Sequence, residues 1–413
     1  TWEILDAKDA DTLDGKHAET ALTTTEKNDL AGAINEVKSS VDVHKADGAQ
    51  HAKTARFVIG TSTADWTAKD CDYLCNGIDD QEEINNAIAA LPASGGEIVI
   101  LDGTYNITAK INVNKNNVSI RGNGNATVLK RMWNSSSPEG VITLTSAEGC
   151  RVQNLQIDGN KANYSSVNNN GIYLYSSSDN TITDNTCNNN TNNGISLYSS
   201  SNNTVTGNTC NNNYYGIYLY SSSNNTITDS TCNNNDYRGI YLYSSSNNNT
   251  VTGNTCNNNY YGIYLYSSSN NTITDSTCNN NDYRGIYLYS SSNNNTVTGN
   301  TCNNNYYGIY LYSSSNNTIT GNTCNNNNNN DGISLYASSS NNTITGNTCN
   351  NNNYGIHLDS SSNNTIIGNT CIRGTGQPSD YTSAQYTILL SGSSNNCNLI
   401  SLNNCMGKAV VVN

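Results

Sequence analysis

The sequence predicts an all-β fold, a parallel β-helix built from stacked coils, and three observations support this prediction. Two motifs, G-I-x-L and N-T-[IV]-[TI], alternate along residues 171–371, and each recurs every 22 to 25 residues. Both alternate polar and apolar positions, a period of two that indicates strands. Ser-Ser-Ser-Asn-Asn and Asn-Asn-Asn lie between them, and both residue types favour turns. A fixed period of this length predicts one coil per repeat.

The repeat is regular enough to argue against a disordered polar tract. Residues 210–255 and 256–301 are identical. One coil buries too few apolar side chains to fold alone, so the coils must stack as an array. We expect inward side chains such as Ile217, Leu219 and Ile227, and a continuous β-helix from about residue 95 to 413. The glycines that open the first motif are Gly171, Gly194, Gly216, Gly239, Gly262, Gly285, Gly308, Gly332 and Gly355.

Each coil also carries one cysteine at a constant offset. Adjacent coils lie ~4.8 Å apart, which is compatible with disulfides, but a column of nine cannot pair completely. Zinc would need four convergent ligands, so we interpret the column as small buried thiols and expect no metal and no cofactor. Cys71 and Cys75 form a separate pair whose spacing allows a disulfide without requiring one. The column comprises Cys187, Cys210, Cys232, Cys256, Cys278, Cys302, Cys324, Cys349 and Cys371.

Residues 57–139 break the repeat and are predicted to form the N-terminal cap and the first coils. An amphipathic helix is expected over 80–91, beginning with an aspartate N-cap and ending at Pro92. A strand is expected at Glu97–Leu101, after a Gly-Gly turn. Because an open β-helix end exposes its apolar column, this helix should cover it. The apolar residues at helical spacing are Ile84, Ala87, Ile88 and Leu91.

Residues 57–123 resemble the N-terminal cap of the pectate-lyase-like superfamily, and residues 140–405 are similar to its right-handed parallel β-helix repeats. The resemblance implies a right-handed single-stranded β-helix, which we place over 140–413. The repeats also resemble those of archaeal surface proteins and of a β-helix family linked to copper delivery. We do not carry over the metal role of that family, because the repeats contain a single histidine, His357, and no methionine.

The first 56 residues resemble bacteriophage tail fibres through A-D-T-L-D-G-K-H-A (10–18) and L-T-T-T-E-K-N-D-L-A-G-A-I-N-E-V (22–37). Four apolar residues at 4-3-4 spacing predict a short coiled-coil seam within this segment, 1–56. A surface helix packed on the β-helix is the alternative. The resemblance implies a homotrimer, tail or baseplate partners at the N-terminus, and a virion-tail or extracellular location. The seam residues are Leu30, Ile34, Val37 and Val41.

Composition narrows the classes of partner. Charged residues make up 12% of the 413-residue chain, and the formal net charge is −13. Without a basic stripe the chain is a poor nucleic-acid binder. It contains no apolar run near the ~20 residues of a membrane span, so no membrane insertion is expected. The chain begins at Thr1 without a signal peptide, so we expect it to be part of a larger protein.

Period two places the Tyr residues of G-I-Y-L-Y outside, where they form two columns. Tyrosine offers contact area with a hydroxyl tip at low entropic cost, which suits a sugar or a protein partner. The alternatives are that the stacked rings only stabilise the sheet, or that they form a trimer interface. The first column is Tyr173, Tyr218, Tyr241, Tyr264, Tyr287 and Tyr310. The second column is Tyr175, Tyr198, Tyr220, Tyr243, Tyr266, Tyr289, Tyr312 and Tyr336.

His357 and Asp359 replace the two tyrosines on one coil, and we expect them to point outward side by side as weak catalytic candidates. The insertion 372–384 is a candidate binding loop. Glycosidases need paired carboxylates ~5–9.5 Å apart, which the repeats do not obviously supply. The sequence therefore favours a structural, receptor-binding subunit of a viral tail fibre or spike that attaches to host glycans. A bacterial or archaeal surface adhesin is the alternative, and a polysaccharide lyase or glycosidase is the second.

Overall fold

The computed structural model describes residues 55–327, 330–373 and 386–407, and the backbone of 411–412, all within one compact unit. The predicted coiled-coil residues Leu30, Ile34, Val37 and Val41 lie outside these ranges, as does most of the 372–384 loop. In the described ranges, no helix combines the length and the apolar character needed to span a membrane.

The N-terminal part contains short strands and one turn of 3-10 helix (Ser62–Ala64) before the repeats begin. β1 pairs in parallel with β2 and with β3. The stack of strands therefore begins at Arg56, earlier than the predicted start near residue 95. The strands are β1 (Arg56–Thr61), β2 (Tyr73–Cys75), β3 (Gly96–Ile100), β4 (Gly103–Ile107), β5 (Ile111–Val113), β6 (Val118–Arg131), β7 (Glu139–Thr145) and β8 (Arg151–Asp158).

An α-helix, α1 (Gln81–Ala90), lies where the sequence predicts the cap. Its apolar side chains Ile84, Ala87 and Ile88 are buried in the same core as the first coils. Asp80 precedes the helix, but its carboxylate accepts hydrogen bonds from the backbone N–H groups of Gly77 and Asn106 rather than from the helix. The predicted helix and its buried face are confirmed, and the capping aspartate instead ties the helix to β4.

The repeats contribute two strands to most coils, a long one from the G-I-x-L motif and a short one from the N-T-[IV]-[TI] motif. They are β9 (Asn169–Tyr175), β10 (Thr181–Thr183), β11 (Thr186–Asn188), β12 (Asn193–Tyr198), β13 (Thr204–Thr206), β14 (Tyr215–Tyr220), β15 (Thr226–Thr228), β16 (Arg238–Tyr243), β17 (Thr250–Thr252), β18 (Tyr261–Tyr266), β19 (Thr272–Thr274), β20 (Arg284–Tyr289), β21 (Thr296–Thr298), β22 (Tyr307–Tyr312), β23 (Thr318–Thr320), β24 (Asp331–Tyr336), β25 (Thr343–Thr345), β26 (Tyr354–Asp359), β27 (Thr365–Ile367) and β28 (Thr370–Ile372). The last strands are β29 (Ile388–Ser391), β30 (Leu399–Ser401), β31 (Asn404–Met406) and β32 (Val411–Val412).

Stacking the coils produces three faces, each made of equivalent residues in register. In the described part of the chain, the long strands form a 13-stranded parallel sheet and the short strands belong to a 17-stranded one. The third face is a line of single bridges between the threonines that precede each cysteine, such as Thr209 and Thr231. Tyr241 lies opposite Tyr264, and Leu242 opposite Leu265. Every side chain therefore recurs one coil further along the same column.

The interior is a continuous apolar column, as the alternation predicts. Ile217, Leu219, Ile227 and Cys232 have no solvent exposure, and the equivalent residues of neighbouring coils are buried with them. The glycine of each G-I-x-L motif is required by packing. A Cβ atom added at Gly262 would lie 2.5 Å from the carbonyl oxygen of Gly285 on the next coil, much closer than van der Waals contact allows.

Buried asparagines mark three corners of each coil and link the coils through their side chains. Asn249 accepts hydrogen bonds at its side-chain oxygen from the N–H of Asn225 and donates its side-chain amide to Asn271. The first ladder is Asn180, Asn203, Asn225, Asn249, Asn271, Asn295, Asn317, Asn342 and Asn364. The second is Asn185, Asn208, Ser230, Asn254, Ser276, Asn300, Asn322, Asn347 and Asn369. The third is Asn190, Asn213, Asn235, Asn259, Asn281, Asn305, Asn327 and Asn352.

The residue before each ladder position turns the chain through the left-handed region. Asn248 has φ 57° before Asn249, and Gly253 has φ 67° before Asn254. Asparagine, aspartate and glycine adopt this conformation most readily. In each Asn-Asn, Asp-Ser and Gly-Asn pair that ends at a ladder position, the first residue therefore adopts the left-handed turn conformation and the second is the buried ladder residue.

Candidate functional site

The outer surface of the 13-stranded sheet carries most of the tyrosines of the chain, and we call it the tyrosine face. The first and second columns lie on the long strands as predicted. A third column lies on the turn before each strand, where ring centroids on successive coils are 5.4 to 5.7 Å apart. It consists of Tyr214, Tyr237, Tyr260, Tyr283 and Tyr306.

The first column points out of the β-helix but is nearly covered by its neighbours. Tyr241, Tyr264 and Tyr287 are only 5 to 6% exposed. Their rings are stacked, with centroids 5.1 Å apart between Tyr241 and Tyr264 and 4.7 Å between Tyr264 and Tyr287. Outward orientation is as predicted, but these rings offer little surface to a ligand. They form a second aromatic cluster outside the wall of the β-helix.

Two arginines, which the sequence reasoning did not single out, are inserted into this cluster. Arg238 lies in register between Tyr215 and Tyr261, and Arg284 between Tyr261 and Tyr307. The guanidinium carbon of Arg238 is 3.9 Å from the ring centroid of Tyr241. The signal in the sequence is the residue before the repeat glycine, where tyrosine and arginine alternate from Tyr215 to Tyr307.

The arginine charges are stabilised by aromatic faces. Arg238 is 8% exposed and Arg284 is 7% exposed. Arg238 donates to the hydroxyl of Tyr215 at 2.7 Å and stacks on Tyr237 at 4.1 Å. Cation–π contacts of a desolvated guanidinium contribute about 2 kcal/mol. The two arginines therefore hold the first and third columns together as a rigid layer.

The accessible part of the tyrosine face consists of the second and third columns. Tyr175 and Tyr312 of the second column are 44% and 38% exposed, and Tyr214 and Tyr260 of the third are 41% and 37% exposed. The other second-column members are half-buried. A ligand would meet rows of ring edges and hydroxyl groups, supported from below by the first column.

The buried tyrosines remain neutral well beyond ordinary pH. Burial raises the pKa of Tyr215 and of Tyr310 to about 12, although the positive charge of a nearby arginine lowers each pKa in part. Burial raises the pKa of Tyr241 and of Tyr287 further still. Their hydroxyl groups therefore act as hydrogen-bonding groups and carry no negative charge near neutrality.

His357 lies in the first column but does not pair with Asp359. Its side chain is buried, with Nδ1 3.1 Å from the carboxylate of Asp331 and 2.9 Å from the Tyr336 hydroxyl. Its Nε2 atom is 2.8 Å from the Ser391 hydroxyl. Asp359 instead accepts a hydrogen bond from the hydroxyl of Ser360. His357 therefore contacts the adjacent coils on both sides rather than Asp359, its neighbour on the strand.

The cysteines show no cross-link anywhere in the described ranges, which contain all of them. Cys71 and Cys75 are both free, as are the nine column cysteines. The nine column thiols are all buried in the apolar core. The column therefore consists of small packing groups, as predicted.

At the N-terminal cap, one cysteine, Cys75, lies beside two acidic side chains. The ligand atoms of Cys75, Asp80 and Glu83 lie within 4.8 Å of one another. Burial raises the pKa of all three side chains, which favours their protonated forms. The Asp80 oxygens already accept backbone hydrogen bonds. This cluster is accounted for by its role in joining the helix to the first coils.

Two families match the sequence. The family described as right handed beta helix region matches residues 97–256 and 139–302. The family described as periplasmic copper-binding protein (NosD) matches residues 243–389. No curated protein matches the chain. His357 lies within the residues matched by the copper-binding family, and its ring nitrogens are within hydrogen-bond distance of oxygen atoms of Asp331, Tyr336 and Ser391.

Several solved structures share the fold. The A-module of mannuronan C-5 epimerase AlgE6 of Azotobacter vinelandii has a TM-score of 0.59 and 18% identity, covering 82% of this chain and 97% of that one. The Dettilon tailspike protein (gp208) has a TM-score of 0.62 and 18% identity, covering 77% and 66%. The DFA-IIIase of Arthrobacter chlorophenolicus A6 has a TM-score of 0.55 and 14% identity, covering 84% and 98%.

These likenesses show the fold alone, since proteins with different named activities share it. The predicted architecture is confirmed: parallel strands stack in register around a closed interior, and the match to the beta helix region extends from residue 97, after the cap helix, to residue 302 in the repeats. The chain is a right-handed parallel β-helix protein.

Proposed function

We propose that this chain is a structural and receptor-binding subunit of a viral tail fibre or spike, and that it attaches to cell-surface glycans through its tyrosine face. The observation that carries the proposal is the unbroken second column, one tyrosine on each coil from Tyr175 to Tyr336. Such a row presents the same group again and again along the fibre axis.

The spacing of the columns suits a polymeric ligand. Coils repeat at ~4.8 Å, which is similar to the length of one sugar unit in a polysaccharide chain. Ring faces and edges pack against the C–H surfaces of sugars, and tyrosine hydroxyls bond to sugar hydroxyls. Each contact is weak, so affinity comes from several contacts made at once.

The rigid layer beneath the contact surface supports the proposal. The first column and the two arginines fix the base of the second column before any ligand binds. Preorganised side chains lose less conformational entropy on binding than mobile ones. The repeated rings of the second column, such as Tyr243 and Tyr266, therefore lose less conformational entropy on binding, and more of each contact energy contributes to the affinity.

Assembly into a fibre is the second part of the proposal. The tail-fibre-like motifs in residues 10–37 support a homotrimer formed through the seam Leu30, Ile34, Val37 and Val41, with tail or baseplate proteins bound at the N-terminus. The fold shared with the Dettilon tailspike agrees with this assignment. The location would be the virion tail, outside the cell, with no nucleic-acid partner.

A surface adhesin of a bacterium or an archaeon would use the same tyrosine face. The resemblance of the repeats to archaeal surface proteins favours this second candidate. The genes beside the coding sequence separate the two, because tail and baseplate genes accompany a virion protein.

The receptor class is tested with fluorescently labelled chain and a panel of intact bacterial and archaeal cells. Cells are treated either with periodate, which cleaves sugar diols, or with protease. We expect periodate to abolish adsorption to the receptive cells and protease to leave it unchanged. Adsorption that protease removes and periodate spares would overturn the glycan assignment.

A further inference from the structure

Three side chains near the C-terminal end of the repeats form a connected chain of hydrogen bonds. The Ser391 hydroxyl lies 2.8 Å from Nε2 of His357, and Nδ1 of the same ring lies 3.1 Å from Oδ2 of Asp331. Asp331 is fully buried and His357 is 6% exposed, whereas Ser391 is only partly buried. A surface hydroxyl is thus backed by a buried imidazole and a buried carboxylate.

We propose that Ser391, His357 and Asp331 form a nucleophile–base–carboxylate triad that hydrolyses carboxylic esters, the class that includes O-acyl groups on sugars. The arrangement has the two contacts of such a triad, one from nucleophile to base and one from base to carboxylate. Its nucleophile is also partly open to solvent. The triad proposal rests on these contacts and does not depend on the glycan-binding proposal or on the similarity to known proteins.

The fold explains how residues so far apart in sequence meet. Asp331 lies on β24, His357 on β26 and Ser391 on β29, which are three successive strands of one parallel sheet. Asp359, the residue that pairs in register with Ser391, lies two positions from His357 on the same strand. Asp331 pairs in register with Tyr354 and Ser391 with Asp359, so both side chains reach His357 diagonally from the strands on either side of it.

The histidine is held in the orientation that the reaction needs. The rings of Tyr336 and Tyr354 flank it edge-on, with centroids 5.0 and 5.1 Å from the imidazole. The Asp331 carboxylate also accepts a hydrogen bond from the Ser334 hydroxyl at 2.6 Å. The Tyr336 hydroxyl also lies 2.9 Å from Nδ1. When Nδ1–H donates to Asp331 rather than to this hydroxyl, Nε2 carries the lone pair that accepts the Ser391 proton.

The reaction balances with water as its only co-reactant. The Ser391 oxygen forms a bond to the ester carbonyl carbon while its proton passes to Nε2 of His357. The bond from that carbon to the alcohol oxygen breaks, and the proton on Nε2 is transferred to the leaving alcohol. Water then attacks the acyl-serine, giving its proton to His357, and the acyl–oxygen bond of Ser391 breaks. The products are an alcohol and a carboxylic acid, and the proton returns to Ser391.

The full-length chain is tested with p-nitrophenyl acetate and with a fluorophosphonate that labels activated serines. We expect ester hydrolysis above the buffer rate and one label, located on Ser391 by peptide mass. Ser391→Ala should abolish both signals. His357→Gln should slow labelling by roughly 10²–10⁴-fold, the usual contribution of a general base. Ser393→Ala, a change at an exposed serine of the same turn, should label like the parent.

Asp331→Asn tests the positioning role of the carboxylate, because it keeps the shape of the side chain and removes its charge. We expect labelling to slow by as much as about 10⁴-fold in protein whose circular dichroism is unchanged. Unchanged labelling in folded Asp331→Asn would contradict the triad. So would a parent chain that labels no faster than Ser391→Ala, a result expected if the three residues form only a structural hydrogen-bond network.

Discussion

Asn249 donates its side-chain amide to the side-chain oxygen of Asn271 on the next coil, at 3.1 Å. Its own oxygen accepts from the backbone N–H of Asn225 on the preceding coil, at 2.8 Å. A single side chain thus ties three coils together. Because all of these atoms are buried, removing the asparagine side chain leaves polar groups of both neighbouring coils without this hydrogen-bond partner.

Replacing Asn249 by alanine should therefore destabilise the β-helix. We expect a loss of roughly 1–3 kcal/mol in the free energy of unfolding for each buried group left without a partner. Thermal and urea unfolding measure it, with Thr250→Ala, at the exposed neighbouring position, as the matched control. Equal stability of the two variants would show that the ladder contributes little.

Thiol reactivity tests the interior column. Of the 14 cysteines, Cys397 is exposed, Cys71 and Cys405 are intermediate and the other eleven are buried. Burial raises the pKa of Cys71 and of Cys405, so both should react more slowly than Cys397 with a disulfide reagent at pH 8. We expect at most three thiols to react in the folded chain. All fourteen should react in denaturant without reductant, and a deficit of two would reveal a disulfide.

Alkaline titration tests the burial of the first tyrosine column and of Tyr215, which lies in register with Arg238. The pKa of Tyr173, Tyr215 and Tyr310 is raised to about 12 from a usual 10.0, chiefly by burial. The folded chain therefore holds these protons more tightly than the unfolded chain does. The resulting stability is complete below about pH 10 and is lost as the pH rises through about 12.

Absorbance at 295 nm and far-ultraviolet circular dichroism, recorded together, follow this titration. Part of the tyrosinate signal should lag and then appear as the β signal is lost. Reversible ionisation of all 28 tyrosines near pH 10, with the fold intact, would be incompatible with the buried cluster.

The sequence predicted most of the fold because the repeat specifies it locally. Alternation in G-I-Y-L-Y determines which side chains enter the interior, and the Asn-Asn pairs determine where the chain turns. It did not predict that Tyr264 is buried, because alternation gives the direction of a side chain but not whether neighbouring rings cover it. Nor did it predict Arg238 within the stack, since a lone cation beside aromatic residues is usually solvated.

The histidine contact was missed for a geometric reason. Sequence proximity suggested Asp359, two residues from His357, but the imidazole reaches diagonally to a residue of the neighbouring strand that pairs in register with Tyr354. The correct partner, Asp331, occupies the position where other coils carry arginine or tyrosine. Ser391 follows an insertion that interrupts the repeat, so the spacing of the repeats does not predict which coil contains Ser391.

The oligomeric state tests the proposed fibre. We expect light scattering of the full chain to give about three times its mass of 44.4 kDa. Removing residues 1–56 should abolish the trimer if the seam at Leu30, Ile34, Val37 and Val41 holds it together. A trimer that survives this deletion would place the interface on the β-helix, and a monomeric full chain would contradict the assembly.

The central claim is that the second tyrosine column binds glycans while the first supports it, and paired triple variants separate these roles. Tyr243, Tyr266 and Tyr289 are changed together to serine in one variant. The matched variant changes Tyr241, Tyr264 and Tyr287 to serine, the residue that the first column already contains at Ser196 and Ser334. Burial of each first-column ring contributes roughly 1.5–3 kcal/mol, so this matched variant should melt at a clearly lower temperature.

The most direct measurement is the affinity of the second-column variant for receptive cells or their purified glycan, compared with the parent at equal folded concentration. Each lost sugar–ring contact removes about 1 kcal/mol, so three losses should weaken binding roughly a hundredfold, with the melting temperature nearly unchanged. Parental affinity in the folded second-column variant would contradict attachment through the tyrosine face.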